Sequence, residues 1–254
     1  MQTNQPVAQM QERAQLESSR LSHVERTALA EYAARASWPA GFMIYERGTA
    51  ADGIFVVLRG RVVLRSRVRG GRGFVPWVAS PGETFGAEGL AANSLYTTNA
   101  RADDETETLF LSTSSLRAFV REQPTHALAL VAQVMAERTA LLDKLLEMTT
   151  LSVEKRLVAA LQRMAAQEGF LDQDGRIELS ASRYRLLCEL VGATRESVSL
   201  VLARLAGEGL VERVGSTVFV APTARLFDRL NGASDNTMLV GALLGASPTS
   251  VSLQ

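Results

Sequence analysis

Between Leu186 and Leu205 the sequence sets a small group of hydrogen-bonding side chains at helical spacing. Thr194, Arg195, Glu196, Ser199 and Arg204 share one side of a pattern whose other side is Val198, Val201, Leu202 and Leu205. A guanidinium presents a rigid fork of donors that fits O6 and N7 of guanine. A carboxylate accepts from the cytosine amino group, and a hydroxyl serves a base edge or a phosphate. That is the chemistry of reading double-stranded DNA from the major groove. Ser182 and Arg183 upstream and Arg213 downstream complete the DNA-binding candidates, with Arg213 placed for a phosphate. Other chemistries are poorly supplied. One cysteine, Cys188, and two histidines, His23 and His126, exclude an internal disulfide framework and a His/Cys metal cluster. Cys188 reads as a core residue, with a redox switch as the alternative. No Walker loop or nucleophile–base pair is visible, so an enzyme is disfavoured, although catalytic residues distant in sequence stay open.

The surrounding elements must position that group. Leu186, Leu187 and Leu190 give a helix over about 182–191 its buried side, and Val191-Gly192-Ala193 breaks it where glycine adopts a left-handed turn cheaply. Thr194 caps a second helix to about Glu208. Val211–Val214 and Thr217–Val220 then flank Gly215-Ser216 as a two-residue hairpin, a wing. A helical hairpin with a polar face is also ordinary structure; the glycine break, the cap and the wing together favour a winged helix-turn-helix. Upstream, Ser152 caps a helix to about Gln167, Gly169–Gly175 is a loop and Arg176–Leu179 is strand-like. Before these, Leu128, Val131, Met135, Arg138, Leu142 and Leu145 alternate spacings of three and four on a helix of about Pro124 to Thr149. So narrow a stripe suits a two-stranded coiled coil, with Arg138 fixing register; packing on its own domain is the alternative.

From Gly41 to about Ser112 the texture is short strands and glycine turns. Ile54–Leu58, Val62–Leu64 with the alternating Arg65, Arg67 and Arg69, and Phe74–Val78 are strand candidates, with turns at Gly70-Gly71 and Ser80–Glu83. Such strands favour an antiparallel barrel or roll. The Arg59–Arg72 hairpin carries six arginines and no acid. It reads as a solvated strand face, with a contact to polymerase, nucleic acid or an acidic partner as the alternative; Asp103-Asp104-Glu105 reads as an exposed turn. A first helix is expected from Ser22 to Arg35, with a Ser22–Glu25 capping box and Leu29, Tyr32 and Ala33 as its apolar face. The composition agrees with a folded chain. Its 254 residues, 46% of them hydrophobic, fit one large or two ordinary domains. Its 27 Lys and Arg balance 27 Asp and Glu, which excludes a histone-like binder but not a local basic patch. Met1–Glu17 is polar and unlike a signal peptide, and Met238–Ala246 is too short to span a bilayer, so a soluble cytoplasmic protein without membrane contact is expected.

Gly192-Ala193-Thr194-Arg195-Glu196-Ser197-Val198-Ser199 is similar to the recognition motif of the CRP/FNR superfamily of bacterial transcription regulators. Glu46-Arg47-Gly48, the strand to Leu58, Arg59-Gly60-Arg61-Val62, Pro81-Gly82-Glu83 and Phe85-Gly86-Ala87-Glu88 resemble the cyclic-nucleotide-binding roll of the same family. The resemblance implies an α+β protein. Residues 1–17 would be a tail and 18–123 an antiparallel, jelly-roll-like β-roll sensory domain. Residues 124–150 would be a dimerisation helix, 151–224 a winged helix-turn-helix, and 225–254 a helix end and tail. It also implies a homodimer on a palindrome, base reading by Arg195 and Glu196, and RNA polymerase as a partner. The effector pocket would draw on Gly86, Glu88, Tyr96, Thr97, Thr98, Arg138 and Leu142, and the dimer seam on Leu128, Val131, Met135, Arg138, Leu142 and Leu145. Cyclic-AMP-responsive members hold ribose with a Gly-Glu pair, phosphate with an Arg-Ser pair and adenine with a Thr-Ser pair. Here the glutamate is displaced to Glu88, Leu95-Tyr96-Thr97-Thr98-Asn99 carries no cation, Arg101 lies too far along, and Leu142-Asp143 replaces the Thr-Ser pair. Cyclic AMP is therefore disfavoured, haem and iron–sulfur cofactors lack ligands, and Leu95 and Tyr96 are expected to fill the pocket. An unidentified effector or constitutive activity remains. The alternatives are a divergent cyclic-AMP pocket and a ligand-binding module acting through protein partners.

Overall fold

A computed structural model describes residues 20–67, 73–166 and 170–231. The expected tails, the Gly70-Gly71 turn, Arg69, Arg72 and the start of the 169–175 loop lie outside the described residues. The chain divides into two compact units, Met1–Thr150 and Leu151–Gln254.

The first unit begins with helix α1 (His23–Ala30), closed at its start by the Ser22–Glu25 capping box. This helix is shorter than the sequence suggests. Tyr32 donates its backbone N–H to Leu29 O, and Ala34–Trp38 leaves the helix to become strand β1, paired antiparallel with β8 (Thr106–Ser112). Pairing with β8 overrides the helix propensity of Ala-Arg-Ala, and the Trp38 indole N–H anchors the strand on the Thr108 hydroxyl at 2.9 Å.

Strands β2 (Met43–Tyr45), β3 (Gly53–Arg59), β4 (Val62–Arg67), β5 (Gly73–Ala79), β6 (Thr84–Phe85) and β7 (Asn99–Ala102) complete two four-stranded sheets. Their orders are β1-β8-β3-β6 and β2-β7-β4-β5, and every pairing is antiparallel. The continuous apolar run of β3 follows from burial on both faces. Ile54 and Val56 join a cluster with Leu29, Leu111 and Phe119, while Phe55 and Val57 face the interior with Tyr45, Leu64, Phe85 and Tyr96. The Ser80–Glu83 turn forms as expected, with Gly82 at φ +85° and Glu83 N–H donating to Ser80 O. Arg61, its side chain only 11% exposed, departs from the expected solvated face by pairing with Asp103 and with Asp104 at 3.0 Å, whereas Arg59 and Glu105 are exposed as the sequence suggests.

Helix α2 (Thr113–Glu122) leads into α3 (Pro124–Thr150), 27 residues long. One side of α3 buries Ala127, Leu130 and Gln133 in this unit. Leu128 is 70% exposed, and Val131, Met135, Leu142 and Leu145 are exposed with it.

The second unit holds α4 (Val153–Ala166), β9 (Ile177–Leu179), α5 (Ala181–Val191), α6 (Arg195–Gly207), β10 (Val211–Val214), β11 (Thr217–Val220) and α7 (Ala224–Asn231). Its sheet runs β10-β11-β9, so the wing hairpin is bound on one side only. Arg229 of α7 pairs with Glu154 of α4 and Glu208, tying the unit's first helix to its last. No helix among the described residues is long and apolar enough to cross a membrane.

Candidate nucleic-acid interface and effector cavity

The outward face of α6 is built by three local devices. Gly192 ends α5 in the left-handed conformation at φ +63° and donates its N–H to Cys188 O; a side chain there would be strained. Thr194, in extended conformation, accepts from the Ser197 backbone N–H at 3.1 Å and so starts α6. Val198, Val201, Leu202 and Leu205 are then buried, which turns Arg195 and Glu196 to solvent with Ser199 partly exposed beside them. The Arg195 guanidinium lies 5.4 Å over the Tyr184 ring, and the Ser199 hydroxyl lies against the Tyr184 phenol. Glu196, at the start of the helix, is favoured there by the helix dipole.

Other expected contacts divide. Ser182 is exposed and shares a hydroxyl contact with Ser180, and Arg213 is exposed on β10. Arg183 turns inward: it donates to Glu178 O at 3.2 Å and stacks over Phe170. Arg204 is held by Glu154 at 2.7 Å. Of the four arginines between residues 183 and 204, Arg185, Arg195 and Arg204 are exposed, but Arg204 is paired with Glu154, and Arg183 is partly buried. Burial pushes the Cys188 thiol above its usual range, the reverse of what a thiolate switch requires.

The first unit encloses a hollow of about 310 Å³ between the roll and α3. Glu88, Thr97, Thr98 and Arg138 line it as expected, with Leu64, Trp77, Glu137 and Leu141. Thr97 donates both its backbone N–H, at 3.0 Å, and its hydroxyl to the Glu88 carboxylate, so that acid is already engaged. Four expectations fail. Tyr96 lines the core rather than the hollow, stacked on Tyr45 at 3.6 Å with its hydroxyl donating to Gly53 O. Gly86, at φ +75°, lies under that ring, where a Cβ would meet Tyr96 at 3.0 Å, so its role is to let the ring in. Leu95 is 56% exposed and fills nothing, and Leu142 lines a second hollow with Phe74, Leu145 and Met148.

Glu137 and Trp77 were not singled out by the sequence reading. Glu137 Oε2 and Trp77 Nε1 are buried without a hydrogen-bond partner among the described residues. Burial, and then the charges of Glu88 and Glu83, push the Glu137 carboxyl up to about 8. One signal was available: Val134, Glu137 and Leu141 follow three–four spacing beside the exposed stripe, so an acid sits where an apolar residue belongs. Among the described residues, no group of three or more His, Cys, Asp or Glu could hold a metal ion.

A two-sheet roll, a long helix and a capped helix-turn-helix with a wing define a DNA-binding regulator carrying a sensory-type domain. Comparison with known proteins agrees. The cyclic nucleotide-binding domain family matches residues 35–123, and the Crp-like helix-turn-helix domain family matches residues 155–228. The cyclic AMP receptor protein of Thermus thermophilus is 32% identical over 198 residues, covering 77% of this chain and 87% of its own. The CRP-like cAMP-activated global transcriptional regulator of Mycobacterium tuberculosis is 25% identical over 198 residues, covering 76% and 86%. The solved structure of the c-di-GMP responsive global regulator CLP of Xanthomonas campestris shares the fold. Its TM-score is 0.69 at 20% identity, over 80% of this chain and all of that one. The chain belongs to the CRP/FNR family of transcription regulators.

Proposed function

We propose that the protein acts as a homodimer that reads a palindromic operator through paired α6 helices, contacts RNA polymerase, and does so without cyclic AMP. The observation that carries this reading is the outward face of α6, where Arg195, Glu196 and Ser199 stand on a helix fixed by the Thr194 cap and the Gly192 turn. Homodimerisation is supported by the exposed stripe of α3, whose spacing matches a coiled-coil seam. Such a seam would set two recognition helices about 34 Å apart, one turn of DNA. Contact with RNA polymerase rests on family membership.

Independence from cyclic AMP is supported by the hollow. The Thermus and Mycobacterium relatives are named for cyclic AMP, but here two carboxyl groups, Glu88 and Glu137, face the space a ligand would use. Arg138 is the one cation among the described lining residues. An anionic phosphate would meet Glu88 with little compensation. Arg138, Glu88, Thr97 and Thr98 remain the residues any effector would touch.

The test is selection of preferred duplexes from a randomised pool, followed by gel shifts with Arg195→Ala. The selected sequence is expected to be palindromic. The variant is expected to lose discrimination at one base pair per half-site, about 1–3 kcal/mol for a bidentate contact. Unchanged discrimination would remove Arg195 from base reading.

A further inference from the structure

Leu200 is 67% exposed on the solvent face of α6, just beyond Arg195, Glu196 and Ser199. At about 100° per residue it lies one turn beyond Glu196 and about 40° around the axis from it. The buried residues Val198, Val201, Leu202 and Leu205 point the other way. A single exposed leucine is ordinary on a protein surface. On this helix its place is not ordinary, because Glu196 stands one turn before it on the same face and Ser199 directly precedes it, both of them groups that would reach the floor of the groove. Leu200 has neither donor nor acceptor, so it cannot read the nitrogen and oxygen edges of the bases. The one apolar projection that a base pair offers in the major groove is the C5-methyl of thymine. Along the axis Leu200 stands about 7.5 Å beyond Arg195, within reach of a neighbouring base pair of the same half-site.

We propose that Leu200 is a specificity-determining residue that recognises a thymine C5-methyl in each half-site of the operator. The inference rests on the operator reading above and adds a second, apolar determinant to the hydrogen-bonding one. It also implies that water would be expelled from the methyl on binding, so the contribution comes from buried apolar surface rather than from hydrogen bonds.

The experiment uses the full-length protein and its selected operator. Each thymine is replaced in turn by deoxyuridine, which removes the methyl and leaves every base-pairing edge unchanged. Affinities are measured for the wild type, Leu200→Ala and Leu200→Met, with thermal melting to verify that the variants fold. One symmetric pair of thymines is expected at which the wild type loses about fourfold per methyl, as burial of one methyl implies. Leu200→Ala should be indifferent to that replacement, and Leu200→Met should keep the preference. A wild type that tolerates deoxyuridine everywhere, or a Leu200→Ala variant that stays equally sensitive, would overturn the Leu200 assignment while leaving the operator reading intact. Selection that enriches no palindrome would overturn the operator reading and this inference with it.

Discussion

Glu137 is an acid whose chemistry departs far from its type. Its carboxyl is pushed up to about 8, so at neutral pH the fold carries it protonated, with Oε2 unpartnered among the described residues in the hollow that Trp77 also lines. An acid raised in the folded state binds a proton that the unfolded chain releases. Stability therefore falls as pH rises from the ordinary glutamate range through about 8. Glu137→Gln removes that dependence. Thermal melting between about pH 6 and pH 9 should show the wild type losing several degrees more than the variant, and parallel curves would contradict the burial of this acid. At this scale the sequence was informative where side chains serve a local pattern. Arg195 and Glu196 could be placed on an exposed face because Val198, Val201, Leu202 and Leu205 define the other one. It was uninformative where partners come from far along the chain. Nothing near Arg204 announces Glu154, and nothing near Arg61 announces Asp104.

Elements show the same division between local and distant causes. The wing and α6 carry their own start and stop signals, a capping threonine, two left-handed glycines and a buried face, and both were legible. Strand β1 carries none. Its residues Ala34–Trp38 become a strand through pairing with β8, more than sixty residues later, so the sequence carries the first helix on to Arg35, two residues into it. Helix α3 stands between these cases, because its stripe is legible but its occupant is not. With Val131 58% exposed, a charge there leaves the packing of its own unit untouched and would fall in the proposed seam between two chains. Val131→Asp should lower the mass in solution from about twice to once the 27.5 kDa chain, measured by light scattering. An unchanged mass would show that this stripe is not the dimer interface.

At the scale of the whole molecule, domain order was legible because two motif sets lie on either side of one long amphipathic helix. Whether the sensory-type roll still senses was less so, since the composition of a cavity depends on which residues the fold turns inward. Tyr96, Leu95 and Leu142 turn elsewhere, and Glu137 turns in. Calorimetric titration with cyclic AMP should give no micromolar binding and no change in operator affinity; tight binding would restore a divergent nucleotide pocket.

The internal pairing of the second unit's arginines bears on how the protein would travel along DNA. Arg176, Arg183, Arg204 and Arg229 are each engaged by carboxylates of their own unit. A guanidinium already matched by an acid releases few of the cations condensed on a DNA backbone. Affinity falls with ionic strength in proportion to the phosphates neutralised. The hold on DNA is then expected to vary little with salt, with short sojourns on random sequence and a search by dissociation and return rather than by long slides; a steep fall of non-specific affinity with salt would contradict this.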